Sequence, residues 1–247
     1  MTPARFVSAY DALILAPELE RLYEGSGFFN VGSWTGDTPG PAQACAALVD
    51  ELTARLPARE GPILDVACGL GATTLHLTRT WPAADVFGIN LSQRQLEACR
   101  ARAPGCTFAR MDATALDFPA GSFRSVLCVE AAFHFHTRAR FFVEAHRVLR
   151  PGGGLVMADL LVRRRDLFGA WMCPPENDVA DPDAYRAELE AAGFTDVAVV
   201  DVTERCWRPY FRHLLASPAS GTDDARAHLR QLMDHGVTAY VLVSATR

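Results

Sequence analysis

The stretch Ile63–Thr74 reads ILDVACGLGATT and passes from an apolar run, through small residues, into a segment with helical spacing. A short apolar run of this kind is consistent with a buried strand. Small residues at the turn that follows remove the side chains that would keep a ligand away from the main chain. In open α/β sheets, ligands bind in the crevice at the carboxyl ends of the strands. The order strand, turn, helix therefore predicts a cofactor-binding turn here.

From residue 60 onward, short apolar runs alternate with helical patterns, which is typical of βαβ units around a parallel sheet. We predict strands over 62–67, 85–89, 107–110, 124–129, 155–160, 197–202 and 237–244. Helices are predicted over 72–80, 92–103, 137–149, 182–192, 207–215 and 223–234. The run Pro151–Gly154 is expected to stop a helix and turn the chain into the fifth strand. The last strand is compatible with an antiparallel edge, which gives a seven-stranded, doubly wound α/β sheet.

Composition and charge narrow the classes of partner. With 49% hydrophobic and 21% charged residues, the chain of 247 residues is typical of a globular protein with a sizeable core. The net charge is -5 and the only dense basic run is Arg163–Arg165, so we expect no nucleic-acid partner. No apolar stretch approaches the ~20 residues that cross a bilayer, so we expect a soluble protein without a membrane partner. Seven cysteines without a C-x-x-C pair favour neither disulfides nor a metal site, and a cytoplasmic location fits them.

The glycine-rich turn has the pattern D-x-A-x-G-x-G, formed by Asp65, Ala67, Gly69 and Gly71, with Cys68 between them. The dinucleotide pattern G-x-G-x-x-G instead serves a pyrophosphate, which would gain nothing from a nearby carboxylate. A methionine moiety carries an ammonium group, which Asp65 can hold directly or through water. The turn thus resembles the S-adenosylmethionine motif of class I methyltransferases, with alanine in place of the usual first glycine. A tight turn whose glycines only pack against a helix is the alternative interpretation.

Polar residues after the second and third strands extend this resemblance. Asn90 and Leu91 follow the second strand, where the family holds the ribose hydroxyls, and an amide can both donate to and accept from a diol. Asp112 and Ala113 follow the third strand, where the family's Asp-Ala pair meets the adenine. The resemblance implies that these residues contact the nucleoside. The alternatives are that Asn90 is a turn residue or helix cap beside Ser92 and that Asp112 only forms a turn.

Two later runs narrow the resemblance to one group of methyltransferases. Glu130–Phe135 and Arg147–Gly153 are similar to the corresponding runs in small-molecule methyltransferases of antibiotic, sugar and sterol pathways. Together the matching motifs cover 63–160. The resemblance implies a Rossmann-like fold, S-adenosylmethionine as cofactor with S-adenosylhomocysteine as product, and a small-molecule acceptor. It also implies that Glu130 lies near the methionine end of the cofactor.

Methyl transfer to a hydroxyl requires a base that takes the proton while the acceptor is held in line. His134 follows the fourth strand and is the first candidate for that base. Some related sugar O-methyltransferases pair a histidine at this place with an aspartate after the fifth strand, which here is Asp159. We therefore predict a hydroxyl of a secondary metabolite as acceptor, with His134 and Asp159 as base pair. The alternatives are that His134 only packs against Phe133 and Phe135 and that Asp159 caps a loop.

We predict a single methyltransferase domain over 1–247, whose first part differs from the rest. Helices are expected over 3–24 and 41–55 around an aromatic loop. Because N-terminal helices form a lid in the family, 1–58 is expected to be a helical lid. The segment 161–180 is expected to wall the acceptor site as a loop. Both a monomer and a homodimer fit this organisation.

Several other activities stay open at this point. One is N- or C-methyl transfer by proximity, without a base. A NAD-dependent oxidoreductase would have a third glycine after Gly71 and an acid in place of Asn90. Methyltransferases of nucleic-acid amino groups carry an Asp/Asn-Pro-Pro-aromatic motif where this chain has Glu130–Phe133. In a non-catalytic cofactor-binding module, His134 and Asp159 would be coincidental.

Overall fold

A computed structural model describes residues 3–169, 171–217 and 221–247, so Ala170 of the expected acceptor loop and the first two residues of the expected lid lie outside it. Its strands are β1 Ile63–Val66, β2 Val86–Asn90, β3 Thr107–Arg110, β4 Phe123–Val129, β5 Leu149–Val162, β6 Thr195–Asp201 and β7 Val237–Thr246. They form one sheet with the order β3-β2-β1-β4-β5-β7-β6. Strands β1 to β5 pair in parallel, and β7 runs antiparallel to both β5 and β6. The predicted doubly wound sheet with an antiparallel last strand is confirmed.

Several of the helices begin at a capping side chain. They are α1 Pro3–Ile14, α2 Pro17–Leu22, α3 Pro41–Thr53, α4 Ala72–Leu77, α5 Gln93–Arg102, α6 Arg138–Val148, α7 Arg165–Phe168, α8 Pro182–Ala191, α9 Trp207–Ala216 and α10 Asp223–Gln231. Ser92, Thr137 and Asp181 each accept a hydrogen bond from the main-chain N–H three residues further on. Side-chain oxygens in this position satisfy N–H groups that the first turn of a helix leaves unpaired. These caps fix the starts of α5, α6 and α8.

The helix predicted over 3–24 is two helices instead. α1 ends at Ile14, and α2 begins at Pro17 after Ala16, which is extended with φ -68° and ψ 132°. Proline lacks the N–H that a continuing helix needs, and it also disfavours helical conformation in the residue before it. The chain therefore breaks at this point, and α1 and α2 pack as separate elements.

The turn predicted at Pro151–Gly154 lies inside a strand. β5 begins at Leu149, directly after α6, and its pairing with β4 shifts register between Phe123 and Ser125. A Cβ atom on Gly153 would lie 2.8 Å from two main-chain oxygens, so only glycine fits this close approach. The glycines thus lie at an irregularity within the sheet and do not form a turn between helix and strand.

Both faces of the sheet are covered. Ile63 packs into the apolar cluster on one face and Leu64 into the cluster on the other, as the alternation of side chains along a strand requires. Leu127 and Val126 of β4 divide between the same two clusters. Because β1 to β4 are parallel, their carboxyl ends lie along one edge. The residues that follow these strands are brought together there.

Candidate active site

A cavity of about 510 Å³ lies at the carboxyl edge of the sheet. Nine of the ten predicted cofactor-binding residues line it, namely Asp65, Ala67, Cys68, Gly69, Asn90, Leu91, Asp112, Ala113 and Glu130. They follow or end β1, β2, β3 and β4, so the parallel sheet alone brings them together. α1 of the expected lid adds Phe6, Val7, Tyr10 and Ile14 to the same cavity, although none of these residues was predicted individually.

The two glycines of the turn serve different purposes. Gly69 has φ +53°, and a Cβ atom there would meet only the side chain of Ile14, at 3.7 Å. The space beside Gly69 therefore belongs to the cavity. Gly71 has φ +83° and does not line the cavity, and a Cβ atom there would lie 2.9 Å from Cα of Cys99. The structure thus places Gly71 against α5, as the alternative interpretation of the turn had it, and not at the predicted cofactor contact.

We expect Gly71→Ala to lower the free energy of unfolding by about 2–4 kcal/mol, because alanine would adopt a left-handed backbone and push α5 away. Gly121→Ala is the matched control, since Gly121 also has a positive φ, +71°, but no atom lies within 4 Å of its added Cβ. That variant should lose only about 1 kcal/mol. Urea unfolding followed by circular dichroism measures both. Equal losses would contradict a packing role for Gly71.

Two non-glycine residues at this edge have a left-handed backbone. Ala67, directly after β1, has φ +58°, and Glu130, directly after β4, has φ +52°. The conformation costs a residue with a side chain about 1–2 kcal/mol, and such residues concentrate at ligand sites. Since β1 and β4 are neighbours, the chain turns sharply at two adjacent strand ends. Both turns line the cavity.

Two carboxyl groups, those of the buried Asp65 and the half-buried Glu130, line the cavity beside these turns. Asp65 accepts a hydrogen bond of 2.6 Å from the Thr74 hydroxyl. Glu130 accepts two hydrogen bonds of 2.7 Å at the same oxygen, Oε1, from the Tyr240 hydroxyl and the Val31 main-chain N–H. Burial raises the pKa of each carboxyl group to about 7. A bound cation would favour the ionised form of both groups.

The Asn90 side chain is occupied by its neighbours. Its oxygen accepts from the Ser92 N–H, and its amide donates to Gln95, both at 2.9 Å. Gln95 and the Ser92 hydroxyl in turn donate to Asp11 of α1, at 2.7 and 2.9 Å. These contacts match the alternative reading of Asn90 as a turn residue, although it also lines the cavity. Sequence reasoning missed both Asp11 and Gln95. The Ser-x-x-Gln spacing of a helix start was a signal for Gln95, whereas Asp11 had none.

Asp112 and His136 lie at the rim of the cavity and are exposed. Asp112 Oδ1 accepts from the main-chain N–H and the hydroxyl of Thr114, both at 2.8 Å, which is a turn-forming arrangement. His136 follows the short 3-10 turn Ala132–His134.

His134 lies in that 3-10 turn and is buried, with 9% of its surface exposed. Its Nδ1 is 2.6 Å from the main-chain oxygen of Met172. A carbonyl oxygen can only accept, so Nδ1 carries the proton and Nε2 keeps a free lone pair. Burial lowers the pKa of His134 to about 4, so the ring is neutral at pH 7. His134 lines the cavity together with the rings of Phe6 and Tyr10, whose centroids are 5.5 and 5.4 Å away.

The structure contradicts the predicted pairing of His134 with Asp159. Asp159 is fully buried, with Oδ2 2.9 Å from Nε of Arg138 and 2.8 Å from the Tyr185 hydroxyl that donates to it. Its Oδ1 accepts from the main-chain N–H of Phe133, at 3.1 Å. A buried carboxylate requires a cation, and Arg138 is that cation. Asp159 does not line the cavity, and the Met172 carbonyl orients the histidine instead.

The aromatic loop and the 161–180 segment contribute only in part. Phe28, Phe29 and Asn30 line the cavity, whereas Trp34 donates its ring N–H to the Val31 oxygen, at 2.6 Å. From the later segment, the residues lining the cavity are Trp171, Pro174 and Pro175. Phe168 of the same segment does not line the cavity and packs against Trp207, with ring centroids 6.1 Å apart.

Across the described residues, no helix has the length and apolar character that crossing a membrane requires. Within the same ranges, no group of three or more His, Cys, Asp or Glu side chains is arranged to hold a metal ion.

Comparison with known proteins agrees with this site. A sequence model of a methyltransferase domain matches 63–153. The 27-O-demethylrifamycin SV methyltransferase of Amycolatopsis mediterranei is 30% identical over 222 residues, covering 82% of this chain and 78% of that protein. Erythromycin 3''-O-methyltransferase of Saccharopolyspora erythraea is 29% identical over 226 residues, covering 82% and 72%. The chain therefore belongs to the class I S-adenosylmethionine-dependent methyltransferases. Within that class it is a small-molecule methyltransferase of secondary metabolism.

A solved structure shares the fold at lower identity. Geranyl diphosphate C-methyltransferase from Streptomyces coelicolor A3(2), in complex with S-adenosyl-L-homocysteine, superposes with a TM-score of 0.79 at 17% identity, covering 100% of this chain and 98% of that one. The cavity of the present chain fits the cofactor of the family. The open space beside Gly69 admits a close main-chain contact, and the carboxyl groups of Asp65 and Glu130 match an ammonium group.

Proposed function

We propose that the protein transfers the methyl group of S-adenosylmethionine to a hydroxyl of a small secondary metabolite, with His134 as general base. The observation that carries this proposal is the hydrogen bond between His134 Nδ1 and the Met172 oxygen, which leaves Nε2 unprotonated in a residue that lines the cavity. The two relatives named above act on hydroxyl oxygens, as their names state for the erythromycin and rifamycin products.

The residues at the strand ends would hold the cofactor, which supplies an electrophilic methyl group when bound. Asp65 and Glu130 would bind the ammonium of its methionine moiety, and the turn at Ala67, Cys68 and Gly69 would meet the cofactor through the main chain. Asn90 and Leu91 would contact the ribose, and Asp112 and Ala113 would contact the adenine, as the family motifs imply. Because Asn90 already donates to Gln95, it reaches the ribose only with its remaining hydrogen-bonding capacity.

His134 takes the acceptor's proton at Nε2 while the oxygen attacks. A pKa of about 4 keeps the imidazole neutral at physiological pH, so it is always ready to accept. The same low pKa makes it a weak base, and the proton moves only as the oxygen loses electron density to the new bond. Asp159 acts indirectly, because it holds the main chain at Phe133 and neutralises Arg138.

The rest of the domain would enclose the reactants. We assign α1 and the aromatic loop of the predicted 1–58 lid to the cover of the cavity, because Phe6 and Tyr10 of α1 and Phe28 and Phe29 of the loop line it. The rest of that segment does not act as a lid, since α3 packs against β4, β5 and β7 as part of the core. The segment 161–180 would contribute three residues to the wall of the acceptor site, namely Trp171, Pro174 and Pro175. Excluding water strengthens the electrostatic contacts inside and keeps His134 neutral.

The proposal is tested by an acceptor screen. The purified protein is incubated with S-adenosylmethionine carrying a labelled methyl group and with phenolic, sugar-hydroxyl, amine and activated-carbon acceptors. Mass spectrometry detects labelled products, and NMR identifies the atom that carries the methyl group. We expect an O-methyl product. An N- or C-methyl product formed at the highest rate would contradict the hydroxyl assignment and favour transfer by proximity without a base.

Binding of S-adenosylhomocysteine should strengthen as pH rises through 7. Below that pH, Asp65 and Glu130 are protonated and cannot pair with the ligand's ammonium, whereas above it both are carboxylates. Each group whose pKa is about 7 contributes up to roughly a tenfold fall in Kd between pH 6 and pH 8, with protons released on binding. Isothermal titration calorimetry in buffers of different ionisation enthalpy measures both quantities.

The control ligand for this prediction is 5'-methylthioadenosine, which keeps the nucleoside and the thioether but lacks the amino-acid moiety. Its affinity should not change over the same pH range. Glu130→Gln should remove part of the dependence seen with S-adenosylhomocysteine. The same pH profile for both ligands would contradict an ammonium site at these carboxylates.

A further inference from the structure

Asn177 is a buried amide whose hydrogen bonds are nearly saturated. It ends the 3-10 turn Pro175–Asn177 and has 3% of its surface exposed. Its side-chain oxygen accepts from the main-chain N–H of Arg138, at 2.8 Å. Its side-chain nitrogen donates to the main-chain oxygens of Phe133 and Phe135, at 3.1 and 2.8 Å. The Arg138 guanidinium also donates to the main-chain oxygen of Asn177, at 3.0 Å.

These contacts lie on both sides of His134 along the chain. Phe133 and Phe135 are its two neighbours in sequence, so the Asn177 amide holds the main chain on both sides of the histidine. Met172, which accepts from His134 Nδ1, precedes Asn177 by five residues on the same segment. The segment 172–177 is thus attached at both ends to the short turn that carries the histidine.

We propose that Asn177 is the positioning residue of this site: it holds the turn of His134 and the segment of Met172 together, and so keeps the imidazole in one orientation. The inference rests on the proposed function only in taking His134 to be the base. Asn177 itself does not line the cavity. It acts through His134 and does not touch the reactants.

The chemistry of the carboxamide explains why asparagine stands here. The position requires one acceptor and two donors within a short side chain, and the asparagine amide supplies that set. Aspartate has the same size but no donor when ionised, so it would place a negative oxygen against two carbonyl oxygens. Alanine would leave all three main-chain groups without partners in a buried region, which is costly.

The surroundings of His134 give the inference a measurable consequence. Phe6 and Tyr10 of α1 pack against the ring, as does Phe133 with a centroid distance of 3.8 Å. Tyr10 is the titratable group among these rings, and burial raises its pKa, so it stays neutral. Burial also keeps the imidazole from being protonated. If the turn loosens, water reaches the ring and protonation becomes easier.

The test is a pH titration of His134 by NMR in the full chain labelled at histidine Cε1, with its resonance assigned from the spectrum of His134→Gln. In the wild-type protein, the signal should not titrate between about pH 8 and pH 5. In Asn177→Ala and Asn177→Asp, the midpoint should rise by roughly one pH unit or more and enter that range. Thr137→Ala is the matched control, because Thr137 caps the adjacent start of α6 without contacting Asn177. It should leave the His134 titration unchanged.

The inference is overturned if His134 remains unprotonated over this range in both Asn177 variants while they still bind S-adenosylhomocysteine. It is equally overturned if Thr137→Ala shifts the midpoint as much. If neither Asn177 variant folds, the hydrogen exchange of the Asn177 carboxamide protons is measured in the wild-type protein instead. Exchange as fast as that of the exposed Gln93 carboxamide would contradict the buried contacts and overturn the inference. No step of this test measures turnover. Its outcome therefore does not depend on whether the acceptor atom is a hydroxyl oxygen, and a failure of the positioning role is distinguishable from a failure of the proposed function.

Discussion

Replacing Arg138 with leucine is expected to lower the free energy of unfolding by about 3–5 kcal/mol, because it leaves Asp159 as a buried carboxylate without its cation. Arg138 has 1% and Asp159 0% of its side chain exposed, so water cannot take over the lost contact. The guanidinium also donates to the main-chain oxygens of Asn177 and Leu160, at 3.0 and 3.3 Å, and lies over the ring of Tyr185. Urea unfolding at pH 7, followed by near-ultraviolet circular dichroism, measures the loss.

The matched control is Arg164→Leu, because Arg164 forms an ion pair with Asp166 that has the same chemistry but is exposed to solvent. That substitution should leave stability unchanged within error, since solvent screens exposed pairs. The double variant Arg138→Leu with Asp159→Leu removes both buried charges and should recover part of the loss. A loss in Arg138→Leu no larger than in Arg164→Leu would show that the buried pair does not stabilise the fold.

The sheet could be predicted from the sequence because its signals are local. Strands β1, β2 and β4 are short, largely apolar runs followed by helical patterns, and Ser92 and Thr137 mark helix starts by their capping oxygens. The two errors in the fold have different origins. The irregularity in β5 depends on how closely neighbouring main chain approaches Gly153, which is a tertiary contact that a single segment does not encode. The break before α2 was readable in the sequence, because Pro17 disfavours a continuous helix and the prediction over 3–24 passed over that local signal.

For the candidate site, too, some residues could be predicted from the sequence and others could not. Residues that follow β1 to β4 could be predicted to meet, because parallel strands end at one edge whatever the loops do. The hydrogen-bond partner of His134 could not be predicted, since Met172 lies 38 positions further along the chain. It also accepts through its main-chain oxygen, a group that every residue has. Arg138 looked like one of several arginines at a helix start. Only the packed structure shows that it is buried beside Asp159.

His134→Gln is expected to reduce kcat for O-methylation by roughly 10²- to 10⁴-fold, the usual contribution of a general base. Glutamine keeps a side-chain N–H that can donate to Met172, but it cannot accept a proton. The KM for S-adenosylmethionine should stay within about twofold, because proton removal occurs in the transition state and not in cofactor binding. Steady-state kinetics on the acceptor found in the screen measures both constants.

The same substitution at His136 provides the control, because His136 lies exposed at the rim of the same cavity, two residues further on. His136→Gln should keep kcat within a fewfold of the wild type. Since only the neutral imidazole can accept a proton and burial holds the pKa of His134 at about 4, the wild-type kcat, measured with saturating S-adenosylmethionine, should be level through neutral pH and fall only as pH approaches that value. A His134→Gln rate within a fewfold of the wild type would mean that the acceptor loses its proton without this residue, and transfer by proximity alone would then account for the activity.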